Sequence, residues 1–172
     1  KHEVTHYISI FQDITEKMET QKQLEYMATH DSLTRLPNRL LFSDRLGHAL
    51  KVAKRAGNNG AILFIDLDDF KRVNDIFSHA TGDELLQVLA KRLQGALRES
   101  DTIARIGGDE FAILLDSIEQ FNVELVAQKI IQTVSEPVVI RNNTIVITTS
   151  IGISLFPQDG ESMPILMKNA DL

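Results

Sequence analysis

The apolar positions of the chain fall into two kinds of pattern, and the first is the short unbroken run. Ala61-Ile62-Leu63-Phe64-Ile65 is such a run, and it predicts a strand buried on both faces. Around Gly107-Gly108, one apolar run closes with Arg105-Ile106 and another begins with Phe111-Ala112-Ile113-Leu114-Leu115. Two strands flanking a glycine pair predict a tight hairpin with Asp109 and Glu110 at its tip. Looser alternation marks His2 to Phe11 as a half-exposed strand, with Val4, His6, Ile8 and Ile10 on one side. Val138 to Ile140 and Thr144 to Leu155, joined through Arg141-Asn142-Asn143, read as a β-hairpin.

The second pattern is helical. Asp13 with Glu16 signals a helix start, and Glu16 to about Thr29 is rich in helix formers. Its apolar residues, Ile14, Met18, Leu24 and Met27, are sparse, so the helix is marginal alone. It either couples an upstream unit to the rest of the chain, pairing with its copy in a dimer, or is a solvated linker. Beyond a polar segment containing the helix breaker Pro37, Leu40, Phe42, Leu46, Leu50 and Ala53 form a stripe that ends at Gly57-Asn58-Asn59-Gly60. A short helix from Asp69 to Phe77 follows the buried strand, and an interruption covers Ser78 to Gly82. A second helix from Asp83 to about Arg98 carries Leu85, Leu89, Leu93 and Leu97 on one face. Glu119 to Glu136 turns Leu125, Val126, Ile130 and Val134 inward and stops at Pro137, and a last helix begins at Met163. This succession implies an α/β fold, a mainly antiparallel central sheet flanked by helices.

Composition narrows the picture. At 172 residues and 43% hydrophobic content the chain can bury a core as one domain plus an appendage. A net charge of −6 argues against binding an extended DNA or RNA backbone, though a small anionic ligand in a local site with its metal remains compatible. No stretch reaches the length of a membrane span, no signal-peptide pattern is present, and there is no cysteine to require an oxidising compartment. The expectation is a cytoplasmic piece without membrane contact, from a parent that can be membrane-anchored elsewhere. His2 and His6 lack metal-ligand partners at a recognised spacing and read as surface residues.

The chemistry lies where strands end in acids. Asp66, Asp68 and Asp69 close the buried strand, and Asp109 and Glu110 stand at the hairpin tip. If the two strands are neighbours, Asp66 and Asp109 converge on one hard divalent cation that keeps positions open for substrate phosphates. Gly107 and Gly108 let a phosphate-bearing ligand approach the backbone. The helix starting near Asp69 offers main-chain N–H groups of Phe70 and Lys71 to terminal phosphates. Taken alone, the Gly-Gly-acid pattern fits an ordinary turn with solvated acids equally well.

Gly107-Gly108-Asp109-Glu110-Phe111 resembles the signature of the GGDEF diguanylate cyclases. Asp66-Leu67-Asp68-Asp69-Phe70-Lys71-Arg72-Val73-Asn74-Asp75 is similar to the family's first-strand motif, and Asp31-Ser32-Leu33-Thr34-Arg35-Leu36-Pro37-Asn38-Arg39 to its leading segment. The resemblance implies a fold like the nucleotidyl cyclases and the polymerase palm, with residues 31–172 as the GGDEF domain. It implies GTP as substrate, Mg²⁺ (or Mn²⁺) held by Asp66, the Leu67 carbonyl, Asp109 and Glu110, and catalysis by Asp109 and Glu110. It assigns guanine reading to Asn74 and Asp83, where a carboxylate accepts from N1–H and the N2 amino group and an amide serves O6 or N7. From the residues alone, Asp83 is equally a helix N-terminal acid and Asn74 a helix-end residue.

Arg98-x-x-Asp101 resembles the family's inhibitory product site, although such a pair at a helix end is common. Ser78 departs from the family, which usually has glycine there, and His79 reads as structural. The family's last helix continues with basic residues that contact GTP phosphates, so the resemblance implies a domain truncated in that helix, folding but binding GTP weakly. Residues 1–12 resemble the last strand of a PAS-like sensor and 13–30 a linker helix. The implied activity is condensation of two GTP into cyclic di-GMP and two pyrophosphates across a homodimer. The alternative is an inactive GGDEF module that binds GTP or cyclic di-GMP to regulate a neighbouring phosphodiesterase domain.

Overall fold

The unbroken apolar run lies in β1 (Gly60–Leu67), an inner strand of a four-stranded antiparallel sheet ordered β2 (Thr102–Gly107), β3 (Glu110–Leu115), β1, β6 (Thr149–Phe156). The computed structural model describes residues 13–116 and 121–170, so the strand expected over His2 to Phe11 lies outside the described residues. Helices pack on both sides of the sheet, so both faces of β1 are covered. Ala61, Leu63, Ile65 and Leu67 enter one core with α3 (Phe70–Phe77), α4 (His79–Ala96) and α5 (Phe121–Ser135). Ile62 enters a second with α2 (Arg39–Ala56) and α6 (Met163–Ala170). The result is the expected α/β architecture. Phe42, Phe111 and Phe156 are fully buried in it, and truncating any one to alanine costs about 3–5 kcal/mol.

Local chemistry sets the helix ends. Asn38 caps α2, its Oδ1 accepting from the amides of Leu40 and Leu41 at 3.0 and 3.1 Å, and Gly57 ends the helix at φ 71°. Two expected core leucines face water: Leu40 is 62% exposed and so is Leu125. The buried stripes are Phe42, Leu46, Ala49, Ala53 and Val123, Ala127, Ile130, Val134, each spaced 4, 3, 4. Leu40 and Leu125 stand two residues from a stripe member, about 200° around the helix. The first helix, α1 (Thr15–Thr29), buries none of its residues. Among the described residues no helix is long and apolar enough to cross a membrane.

Two boundaries differ from expectation. The interruption read at Ser78 to Gly82 is Ser78 alone, at φ 125°, with its hydroxyl accepting from the Thr81 amide, so α4 starts at His79. Asp83 is therefore inside α4 and not in its first turn. The expected strand Thr144 to Leu155 is two strands in two sheets. β4 (Val138–Ile140) and β5 (Asn143–Ile145) form a separate hairpin, residues 146–148 belong to neither strand, and β6 then joins β1. Burial alternates without a break from Ile145 to Ser150, so a period of two cannot reveal the change of sheet.

Candidate active site

β1 and β3 pair with Ile65 opposite Phe111 and Asp66 opposite Glu110. This register brings the acidic end of β1 beside the two-residue loop Gly108-Asp109 that joins β2 to β3. Gly108 adopts φ 53°, and a Cβ on either Gly107 or Gly108 would meet nothing within 4 Å. The loop backbone is thus open to a ligand, and glycine at 108 meets a conformational demand. Burial, then the charge of Asp109, then that of Asp68 raise the Asp66 pKa above its ordinary value. Asp109 thus lies close enough for its charge to act on Asp66.

Asp68, two residues on, is committed elsewhere. It accepts from Thr148 Oγ1 at 2.6 Å and Ser150 Oγ at 2.8 Å, and its amide donates to the Thr148 carbonyl at 3.0 Å. Thr149 Oγ1 donates to the Asp66 carbonyl at 2.5 Å. These bonds from residues 148–150 fix the end of β1. Asp69 turns the chain at φ 56° without capping α3 by its side chain, so the first amides of α3, at Phe70 and Lys71, are left uncapped. A cavity of about 340 Å³, lined by Asp68, Asp69, Arg72, Val73 and Thr148 among others, opens beside this turn.

Among the described residues no three His, Asp or Glu side chains converge as a ready-made metal centre. The donors at hand are Asp66, Asp109, Glu110 and the main-chain carbonyls at the end of β1. Such a set suits a hard dication that completes its shell with phosphate and water oxygens, and the repulsion between Asp66 and Asp109 is what a cation would relieve. At the α3–α4 junction the Asn74 side chain lies over Gly82, the chain neighbour of Asp83. Among the described residues neither the Asn74 amide group nor the Asp83 carboxylate has a hydrogen-bond partner. Arg98 and Asp101 sit apart from this site, at the start of β2, about 17 Å of strand from the loop. Asp101 accepts from the Arg98 amide at 3.0 Å and closes its own turn, while the Arg98 side chain is exposed.

The chain matches the family described as diguanylate cyclase, GGDEF domain, over residues 28–172. It belongs to that GGDEF family. It is similar to the bifunctional diguanylate cyclase/cyclic di-GMP phosphodiesterase MucR of Pseudomonas aeruginosa, at 45% identity over 87% of this chain and 22% of MucR. It is 43% identical to diguanylate cyclase TpbB of the same organism over 87% of this chain and 35% of TpbB. The chain therefore spans only a fifth to a third of these relatives. The solved GGDEF domain of TpbB superposes with a TM-score of 0.80 at 42% identity, covering 83% of this chain and 84% of that one. The coiled coil and GGDEF domain of DgcB from Caulobacter crescentus, solved with c-di-GMP, gives 0.83 at 28% identity over 92% and 84%.

One feature around the GGDEF turn has no counterpart in the motif reading. Arg105 donates from Nε and Nη2 to the Gly108 carbonyl at 2.9 and 2.7 Å, and from Nη1 to Asp31 Oδ1 at 2.9 Å. Both side chains are largely buried, at 12% and 22% exposure. Burial raises the Asp31 pKa, but hydrogen bonds from Thr34 and Arg105 together outweigh it and hold the carboxyl below its ordinary value. The leading segment is thereby latched to the turn. The signal available in the sequence was a charged residue inside an apolar strand.

Proposed function

We propose that the chain is the diguanylate cyclase domain of a longer cytoplasmic-facing signalling protein, condensing two GTP into cyclic di-GMP with release of two pyrophosphates. The observation that carries this reading is the intact Gly107-Gly108-Asp109-Glu110 turn at the end of the β1–β3 pairing, where Glu110 stands opposite Asp66 and the charge of Asp109 acts on it. Asp66, the Leu67 carbonyl and Asp109 would hold Mg²⁺, and Glu110 would complete a second metal position. The chemistry that Mg²⁺ would supply there is stabilisation of charge developing on the phosphates and a lower pKa for the attacking hydroxyl. Uncapped amides of Phe70 and Lys71 take the terminal phosphates, and the bare backbone of Gly107 and Gly108 allows close approach. Asn74 and Asp83 bind the guanine edge, selecting GTP over ATP.

The 3′-oxygen of one GTP bonds to the α-phosphorus of the other, the bond to pyrophosphate breaks, and Asp109 takes the hydroxyl proton. Each site holds one GTP, so ring closure requires two sites face to face and a homodimer is part of catalysis. The α1 helix joins the domain to an upstream PAS-like sensor. Arg98 and Asp101 form the product-inhibition site.

Full-length protein incubated with GTP and Mg²⁺ is expected to yield cyclic di-GMP, and the Asp109→Ala variant none. A second reading is favoured by one relative: the cyclic di-GMP phosphodiesterase NbdA of Pseudomonas aeruginosa is 41% identical over 87% of this chain. In that reading the domain binds nucleotide to regulate a neighbouring phosphodiesterase. No product from a folded dimer that binds GTP would establish it.

A further inference from the structure

A single residue, Ser78, separates α3 from α4, so the two helices turn back on each other and meet near their junction. The meeting point is Gly82, buried inside α4. A Cβ at this position would lie 2.0 Å from Asn74 Oδ1, 3.0 Å from its Cγ and 3.1 Å from Phe70 Cζ. The Asn74 amide therefore fills space that exists only because residue 82 has no side chain. Glycine is the poorest residue inside a helix apart from proline, and its presence here has a local cause. The contrast with Gly47 and Gly95 is sharp: both also lie within helices, and a Cβ on either meets nothing within 4 Å.

We propose that Gly82 is a specificity-positioning residue: its missing Cβ seats the Asn74 amide against the α4 backbone, beside Asp83, so that the two groups address one purine edge together. The proposal rests on the reading of Asn74 and Asp83 as guanine-binding groups. Adjacent Cα atoms are about 3.8 Å apart, so an amide resting on Gly82 is within one residue of Asp83. The atom that an added methyl would displace is the far end of the Asn74 side chain. The backbone of α3 stays anchored through Phe70 and Val73, both buried in the core. Gly82→Ala thus turns the amide away while the helix pair remains, and the consequence falls on base selectivity.

The test is equilibrium titration of the full-length protein with α,β-methylene GTP and α,β-methylene ATP, which bind without releasing pyrophosphate. The readout is the ratio of the two Kd values for wild type, Gly82→Ala, Asn74→Ala and the double variant. Gly82→Ala and Asn74→Ala should each lower the preference for the guanine nucleotide about tenfold, the loss of one hydrogen-bonding group. The double variant should be no less selective than Asn74→Ala alone, since glycine acts only through the amide. A Gly82→Ala protein with wild-type preference, or losses that multiply in the double variant, overturns the seat while leaving the guanine reading intact. A wild type with no preference overturns the guanine reading and the seat together. Removing the Asn74 amide also makes room for the methyl, so the double variant should melt like Asn74→Ala. If both Gly82→Ala and the double variant fail to fold, Gly82 serves the core and the proposal is wrong.

Discussion

Two hairpins in this domain close with two-residue loops, and they do so in opposite ways. At the end of β4, Arg141 and Asn142 both take positive φ, 48° and 66°, without a glycine. The strained loop is tied down by Arg141, whose Nε and Nη2 donate to Glu84 of α4, the Nε bond at 2.9 Å. At the end of β2, Gly108 supplies the positive φ without a side chain, nothing stands within 4 Å of where its Cβ would be, and the charge of the adjoining Asp109 acts on another acid, Asp66. One loop only has to close, so side chains clamp it. The other is held from behind, through its Gly108 carbonyl by Arg105, and its outer surface stays clear. A loop fixed on its inner side and bare on its outer side is what a phosphate-bearing ligand needs.

Breaking the inner clamp should have the largest effect. Arg105→Ala leaves the partly buried Asp31 with Thr34 but without its cationic partner and frees the Gly108 carbonyl, at a cost of about 3 kcal/mol. Chemical denaturation should read this cost, and turnover should fall along with the loss of loop position. Gly108→Val meets no clash but forces a branched residue into the left-handed region, costing about 1–2 kcal/mol. Turnover should drop at least about tenfold, whereas Gly108→Asn, which tolerates that region, should recover most of the stability. On the other hairpin, Arg141→Ala breaks an exposed pair worth about 0.5–1 kcal/mol and should leave turnover unchanged. Equal effects on turnover from the two loops would erase the contrast.

Acids near the loop sharpen the contrast through pH. The Asp66 pKa is raised in the fold, so the native state holds its proton more tightly than the unfolded chain. Its contribution to stability then declines as pH rises from the ordinary carboxylate value through the raised one. Asp66→Asn should melt higher than wild type at pH 7, with the gap closing as pH falls through the carboxylate range, and Mg²⁺ should raise the wild-type midpoint but not the variant's. Asp31 has the opposite sign. Its pKa is lowered, so its stabilisation is full at neutral pH and is lost as pH falls through the depressed value. The smallest effect is expected at Ser78, whose φ of 125° suits glycine: Ser78→Gly should relieve strain, lose a weak cap and stabilise by no more than about 1 kcal/mol.

The parts of the fold legible in the sequence are those where pattern and burial coincide. β1 is an unbroken apolar run because helices cover both its faces, and the β2–β3 loop is marked by glycines because its backbone requires one. Leu40 and Leu125 are misplaced by counting apolar residues without following their angle around the helix. The β5–β6 change of sheet is silent because alternation continues through it. At the candidate site, Asp66 and Asp109 are legible as acids at strand ends. The clamp is not, since Arg105 and its partner Asp31 are 74 residues apart and only the fold pairs them. Gly82 reads as a helix breaker from sequence, yet it is buried within α4, where its use depends on a side chain from another helix.

The measurement that bears most directly on the account is pyrophosphate release from GTP by the full-length protein, comparing wild type with the isosteric Asp109→Asn at saturating Mg²⁺. The prediction is release by wild type in step with cyclic di-GMP formation, and a fall of at least about a thousandfold in Asp109→Asn with an unchanged or higher melting temperature. Release by Asp109→Asn at the wild-type rate would contradict the assignment of the loop carboxylate, and with it the claim that the open end of this hairpin is the active site.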